Sequence, residues 1–470
     1  MHALSMPGSL CQTVGRSTVI VLLGLLCVIQ VSTVQAQVKA HELPLHVIAR
    51  FGTPPDIPDG SLGKPVVKAL DAAFGDNLKS GKWGPDQTAA IATINASGDA
   101  RLAWLISDLM RIASSDSLRS LLADSASQLL KIEFKDNNLW GYTTDQLIGW
   151  DIPAPPDYLK YKRNIYTLIV PEWNELFQPG DIDWRHVSWG GVRIDNRAYD
   201  TTEEPCNCIP AADNPEVTNA EDAKWLRDDD VVFGIAVNDQ FRAYPRRIME
   251  VREMVNDTLG GRDLGIPYCT LCASAQAYFT DDVPEGTDRP VLRTSGLLIR
   301  SNKVMYDLNT FSVFDTFRGH AVTGALADKK IKLKQAGVVT TTWGDWKAAH
   351  PDTTVLAESL AMGRDFDFRH NRDANGPIFP IGDVDPRLPV QEDIVGLVAE
   401  SGNAVAFQLS KAVEKLNDGE QIKFENIQLV LDGGGVRAIG KDGEDLGGHQ
   451  AFWFAWSQFY PDTKLWPFLD

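Results

Sequence analysis

The sequence predicts an α+β protein, an all-α N-terminal region followed by an internally duplicated, β-rich mixed domain. Three observations carry that expectation. Apolar residues recur at helical spacing from about residue 60 to 135. Beyond about residue 180 they fall in short blocks between glycine turns. One set of strand-like motifs occurs twice.

The chain has 470 residues, enough for several domains and a sizeable core. Four segments are expected: a signal peptide over 1–36, a helical region over 37–180, a first β-rich repeat unit over 181–392, and a second, shorter unit over 393–470. In the first, Arg16 precedes the apolar run "VIVLLGLLCVI", and "VSTVQAQ" supplies a cleavage region ending at Ala36. That order is the order of a secretory leader, and the run is too short to cross a bilayer. The expected location is therefore periplasmic or secreted, with no membrane span in the mature chain. Losing Arg16 with the leader takes the formal charge from −18 to −19. A surface so acidic repels phosphate backbones, which argues against nucleic-acid partners.

In the helical region, Asp99 is placed to cap a segment whose Leu102, Leu105, Ile106, Leu109 and Ile112 share a face. Asp116 opens another, carrying Leu118, Leu121, Leu122 and Leu129. This region is assigned to packing or to docking a protein partner. "DIPAPPDY" then breaks the pattern.

The strand-rich part begins clearly at "VVFGIAVNDQFRAYP" (Val231 to Pro245), which reads as strand, ND turn and strand. "RRIMEVREMVND" (Arg246 to Asp257) reads as a helix, followed by a GG turn and a strand bearing C-x-x-C. The motifs return downstream. "VFGIAV" recurs as "IVGLVA", "RAYP" as "VAFQ", and "VND" as "LND"; "WGDWKAAHPDT" and "WFAWSQFYPDT" share W-x-x-W-x-x-x-[HY]-P-D-T. Counted without a gap, Cys269 and Cys272 fall opposite Val430 and Gly433, so the second copy does without thiols there.

Four cysteines follow the leader: Cys206 and Cys208 as C-x-C, Cys269 and Cys272 as C-x-x-C. Three chemistries remain open for them. They form structural disulfides, the default in an oxidising compartment. They gather as a thiolate metal site, which His320 could join and which would select zinc or copper. Or the C-x-x-C is a redox pair. Met305 could add a thioether, but by itself it reads far more readily as a core residue. Ala273 stands where c-type haem attachment needs histidine. Glu253 and Asp257, four apart, would share a helix face and could work as acid and base, although capping the helix end and shaping the "NDTLGG" turn is the stronger reading of Asp257. Asp307 is the third acid–base candidate, in a polar cluster with Thr310 and Ser312 that also suits a turn. His350 reads as structural, and His449 is unassigned. No G-x-S-x-G elbow, phosphate-binding loop, H-E-x-x-H helix or EF-hand loop is present, and "DGGGVRAIG" reads as a glycine-rich hairpin.

The motifs "FRAYPRRI", "VREMVNDTLGG", "IPYCTLCASA", "SGLLIRSNKVMYD", "TTWGDW" and "FWFAW" together resemble a bacterial family catalogued as domain of unknown function 3179. The resemblance spans about residues 205 to 466 and brings a membership, with no activity attached. The family pattern has histidine where Arg252 stands, proline and glycine where Thr270 and Ala273 stand, and tryptophan at Phe314. The functional expectation is an exported protein with a cysteine-based centre for soft-metal binding or thiol redox chemistry. The alternative is a non-enzymatic binding or scaffold module stapled by disulfides.

Overall fold

In the computed structural model, helices come first and small sheets follow. The structure describes residues 43–468 apart from 59, 77, 79–80, 136, 202–205 and 358–375; the expected signal peptide lies outside them. No helix among the described residues is long and apolar enough to cross a membrane.

Among the described residues, seven α-helices precede the first strand: Leu45–Phe51, Lys64–Phe74, Pro85–Ser97, Ala103–Ile112, Asp116–Leu130, Leu139–Gly149 and Tyr158–Tyr166. Asp99 caps as its position implied, accepting the Arg101 amide, but a short 3-10 turn (Ala100–Leu102) intervenes before the α-helix. The cap of the next helix is Ser115, one residue before Asp116, which takes the Leu118 amide. Leu102, Leu105, Ile106, Leu109, Leu122 and Leu129 are buried, as the helical spacing requires. The same apolar cluster continues into Leu297, Val304, Tyr306 and Val313, so helices and sheet share one core. Trp173, fully buried, donates its indole N–H to Ser295 O at 2.7 Å across that boundary.

Five sheets follow. One is built on the hairpin of Leu292–Ile299 and Asn302–Asp307, flanked by Val187–Trp189 and Val313–Asp315. Its register shifts between Thr294 and Leu298. Gly296 occupies that irregularity at φ 76°, and a Cβ there would stand 2.4 Å from Val192 O, so glycine is required. A second sheet holds Met254–Leu259 antiparallel to Arg262–Cys269 across the Gly260–Gly261 turn.

Two further sheets match each other over four strands, and the first adds a fifth, Val217–Asn219, at its edge. In one, Val231–Val237 lies antiparallel to both Gln240–Pro245 and Val338–Thr342, and Thr354–Leu356 runs parallel to Gln240–Pro245. In the other, Asp393–Val398, Ala404–Gln408, His449–Phe452 and Lys464–Trp466 take the same places and directions. Each pair of central strands is followed by a helix, and each helix carrying W-x-x-W packs a tryptophan on a strand glycine: Trp346 on Gly234, Trp456 on Gly396. The Nε1 of Trp346 bonds Thr353 Oγ1 at 3.0 Å, and that of Trp456 bonds Thr463 Oγ1 at 3.0 Å. The fifth sheet is the antiparallel meander Ile422–Phe424, Ile427–Asp432 and Gly435–Ile439; its Gly433–Gly434 turn is the glycine-rich hairpin the sequence indicated.

One element is shorter than its pattern. The helix expected over Arg246 to Asp257 ends at Arg252, and Met254–Leu259 is a strand. Glu253 takes a left-handed conformation (φ 50°) between them. The backbone of 254–259 is claimed by the ladder to Arg262–Cys269, and tertiary pairing overrides helical spacing.

Candidate functional site

The C-x-x-C sits where a strand turns. Cys269 ends Arg262–Cys269, Thr270 and Leu271 make the turn, and the Cys272 amide donates to Cys269 O at 3.3 Å. Ala273 follows at φ 49°, a left-handed position that a side chain other than glycine adopts at a cost, before Ser274–Ala275 pairs back on the strand. The two sulfurs are bonded to each other, with Cα atoms 5.5 Å apart, an ordinary disulfide spacing. Both residues are buried, Cys269 at 2% exposure and Cys272 at 0%. Cys272 Sγ lies 3.4 Å from Ser274 Oγ, and the Cys272 carbonyl accepts the Phe452 amide at 3.0 Å. That last bond ties the turn to the distant FWFAW segment.

Cys269 faces a pocket of about 70 Å³ whose wall includes Glu253, Thr270, Ser295, Gly296 and Lys303. Glu253 is placed there by the end of its helix: its amide donates to Met249 O at 2.8 Å, and its carbonyl accepts from Tyr268 N at 3.0 Å. The carboxylate accepts from Lys303 Nζ at 2.6 Å and from Thr270 Oγ1 at 3.3 Å. Lys303 and Glu253 are both buried, so this is a desolvated ion pair beside a disulfide. Arg252, at the family's histidine position, is also buried, at 1% exposure.

The other candidates stand elsewhere. Cys206 and Cys208 are bonded to each other with Cα atoms 5.1 Å apart. Among the described residues, the group with metal-ligand spacing is Asp195, Cys206 and Cys208, and it includes neither Cys269, Cys272 nor His320. Asp195 fits a metal poorly. Arg197 holds both its oxygens, at 2.7 and 3.0 Å, and Ala211 N donates to one of them. His320 pairs with Asp181 at 3.6 Å. Met305 is fully buried in an apolar cluster with Met254 and Tyr278, as core packing predicted.

Glu253 and Asp257 do not share a helix face, because Asp257 lies in the strand. Its Oδ2 accepts from Arg242 Nη1 at 2.6 Å and from Tyr244 OH at 2.7 Å. Asp307 serves its turn: Val291 N, Thr310 N and Thr310 Oγ1 all donate to it within 2.9 Å. His350 stacks on Phe241, with ring centroids 4.0 Å apart, and meets Asp432 at 2.6 Å. His449 is buried between Gln335 and Gln276, and burial lowers its pKa to about 3. Lys303 was not singled out from sequence; its only signal was its place after Ser301 and Asn302 in "SGLLIRSNKVMYD".

Residues 206–442 match the family model described as "Protein of unknown function (DUF3179)". The chain belongs to that family. The matched span contains both cysteine pairs, Glu253 and Lys303. Neither the curated proteins nor the solved structures contain a match to this chain. The fold also accounts for two glycines of the family motifs. One is Gly296 at the strand irregularity, and the other is the position held here by Ala273 in left-handed backbone.

Proposed function

We propose that the protein is an exported thiol–disulfide redox protein whose centre is Cys269–Cys272. A single observation carries this reading: the disulfide borders a pocket that also presents a buried Glu253–Lys303 pair. Cys269 lines that pocket and Cys272 does not, which assigns them different roles. The thiolate of a small thiol attacks Cys269 Sγ, the sulfur–sulfur bond breaks, and the electron pair leaves on Cys272, which takes a proton. A second thiolate then attacks the external sulfur of the mixed disulfide and releases Cys269. Two external thiols become one external disulfide, and the protein gains two thiols. Lys303, paired with Glu253, lines the same pocket as Cys269, so the pair sets the charge that the Cys269 thiolate meets. Cys206–Cys208 remains a structural bond in this account.

A second reading, a disulfide staple without redox turnover, is favoured by the burial of both sulfurs and by the Phe452–Cys272 hydrogen bond. We further infer that the two matched sheets descend from one duplicated unit; their common strand order and the two glycine–tryptophan contacts support this. Equilibrating the mature protein with thiol buffers and counting free thiols separates the readings. A Cys269–Cys272 couple between about −270 and −120 mV is expected of a redox centre. A couple below about −300 mV would leave the staple. Stoichiometric zinc or copper on the reduced protein would replace both with the soft-metal reading.

A further inference from the structure

A second cavity, of about 230 Å³, lies next to the cysteine pocket, and Lys303 and Val304 line both. Apart from these two residues, its walls differ in kind from those of the cysteine pocket. Ile182, Ile299, Phe314, Val322 and Phe459 form an apolar side, and Arg300 stands at the rim of a hairpin turn. We infer that this cavity binds a small carboxylate, or a comparable oxyanion, carrying an apolar tail, with Arg300 as the anion contact.

The argument rests on what Arg300 lacks. Its Nε donates to Ile381 O at 2.8 Å and its Nη2 to Asp383 O, both backbone carbonyls. It forms no ion pair among the described residues, although four carboxylates act on it from farther away. Each of those is engaged elsewhere. Asp383 faces His46 at 3.0 Å, and Asp145 holds Arg50 and the amides of Ile381 and Gly382. Asp151 and Asp183 both pair with Arg185, at 2.9 and 2.5 Å. The two other cations of the wall are also occupied: Lys303 by Glu253, Arg318 by Phe459 O and Asp315. A half-buried guanidinium that makes no ion pair of its own is a group an incoming anion would complete.

The acids of the wall do not reverse this. Asp183 is held by Arg185, and Asp181 is 87% exposed and turned to His320. Asp315 accepts two backbone amides and pairs with Arg318, 3.8 Å away. A second observation points to the same turn. Arg300 and Ser301 are both left-handed (φ 45° and 69°), the backbone of a tight hairpin turn that favours asparagine and glycine. Larger residues kept there cost the fold something, as is common where a side chain must be aimed.

Isothermal titration with hexanoate, hexanamide and hexylammonium tests the inference on the unmodified mature protein. Hexanoate is expected to bind at least tenfold more tightly than either of the others, and R300Q to lose at least tenfold for hexanoate alone. Equal binding of hexanoate and hexanamide, or no binding of hexanoate, would overturn it. The comparison of three ligands on one protein stands even if R300Q folds poorly. Binding is read without any thiol chemistry, so its failure is distinct from a failure of the redox reading, which the thiol-buffer potential decides.

Discussion

Lys303 and Glu253 neutralise each other where both are largely buried, and each is costly without the other. Lys303→Met should therefore lose about 3–5 kcal/mol of stability, measured by urea unfolding, because the Glu253 carboxylate is left buried and unpaired. The double change with Glu253→Leu should recover most of that loss. In the reduced protein the same Lys303→Met change should move alkylation of Cys269 to higher pH, since it leaves the Glu253 carboxylate uncompensated in the pocket that Cys269 lines. An unmoved alkylation profile would remove Lys303 from the redox account while leaving its structural role. Ala273→Gly offers a contrast at the same turn. Relief of the left-handed alanine should add about 1 kcal/mol without affecting alkylation, and a decrease in unfolding midpoint would contradict the backbone argument.

Among the elements, the two tryptophan-bearing helices make the sharpest forecast. A methyl group on Gly234 would stand 2.3 Å from the Trp346 ring, and one on Gly396 would stand 2.4 Å from the Trp456 ring. Gly234→Ala and Gly396→Ala should each cost about 1–3 kcal/mol through overpacking, checked by thermal unfolding. A neutral result at either site would mean that its sheet and helix can separate without loss. Sequence reading succeeded for elements whose signal is local. The W-x-x-W repeat, the Asn238–Asp239 turn and the leucine spacing of the early helices each specify structure within a few residues. It failed at Glu253–Asp257, where helical spacing was real but the partner strand lay beyond a glycine turn. It also missed Lys303, because nothing near it in the chain says that it meets Glu253, 50 residues away. The cysteine pairs were visible as motifs, but which sulfur bonds which depends on turns that spacing alone leaves open.

At the scale of the molecule, His449 is a joint between distant segments. It starts the strand His449–Phe452, pairs with Gly396 in the ladder, and reaches Gln335 and Gln276 through its ring nitrogens. A neutral imidazole has one accepting nitrogen, which takes a glutamine N–H, and its burial suits the uncharged ring. Burial lowers its pKa to about 3, against 6.5 for the free side chain. The sign follows directly. Above pH 6.5 both folded and unfolded chains hold the ring neutral, and the contact contributes in full. As pH falls towards 3, the unfolded chain takes up a proton that the folded chain refuses, and stability drains by about 1.4 kcal/mol per pH unit. Between pH 6.5 and about 5 most carboxylates are still ionised, so this loss is separable from general acid unfolding. The stability difference between the unmodified protein and H449Q, taken from urea titrations, should therefore shrink as pH is lowered through that window. A difference that stays constant would place His449 where water or a carboxylate can shield its charge, and the joint would then tolerate acid.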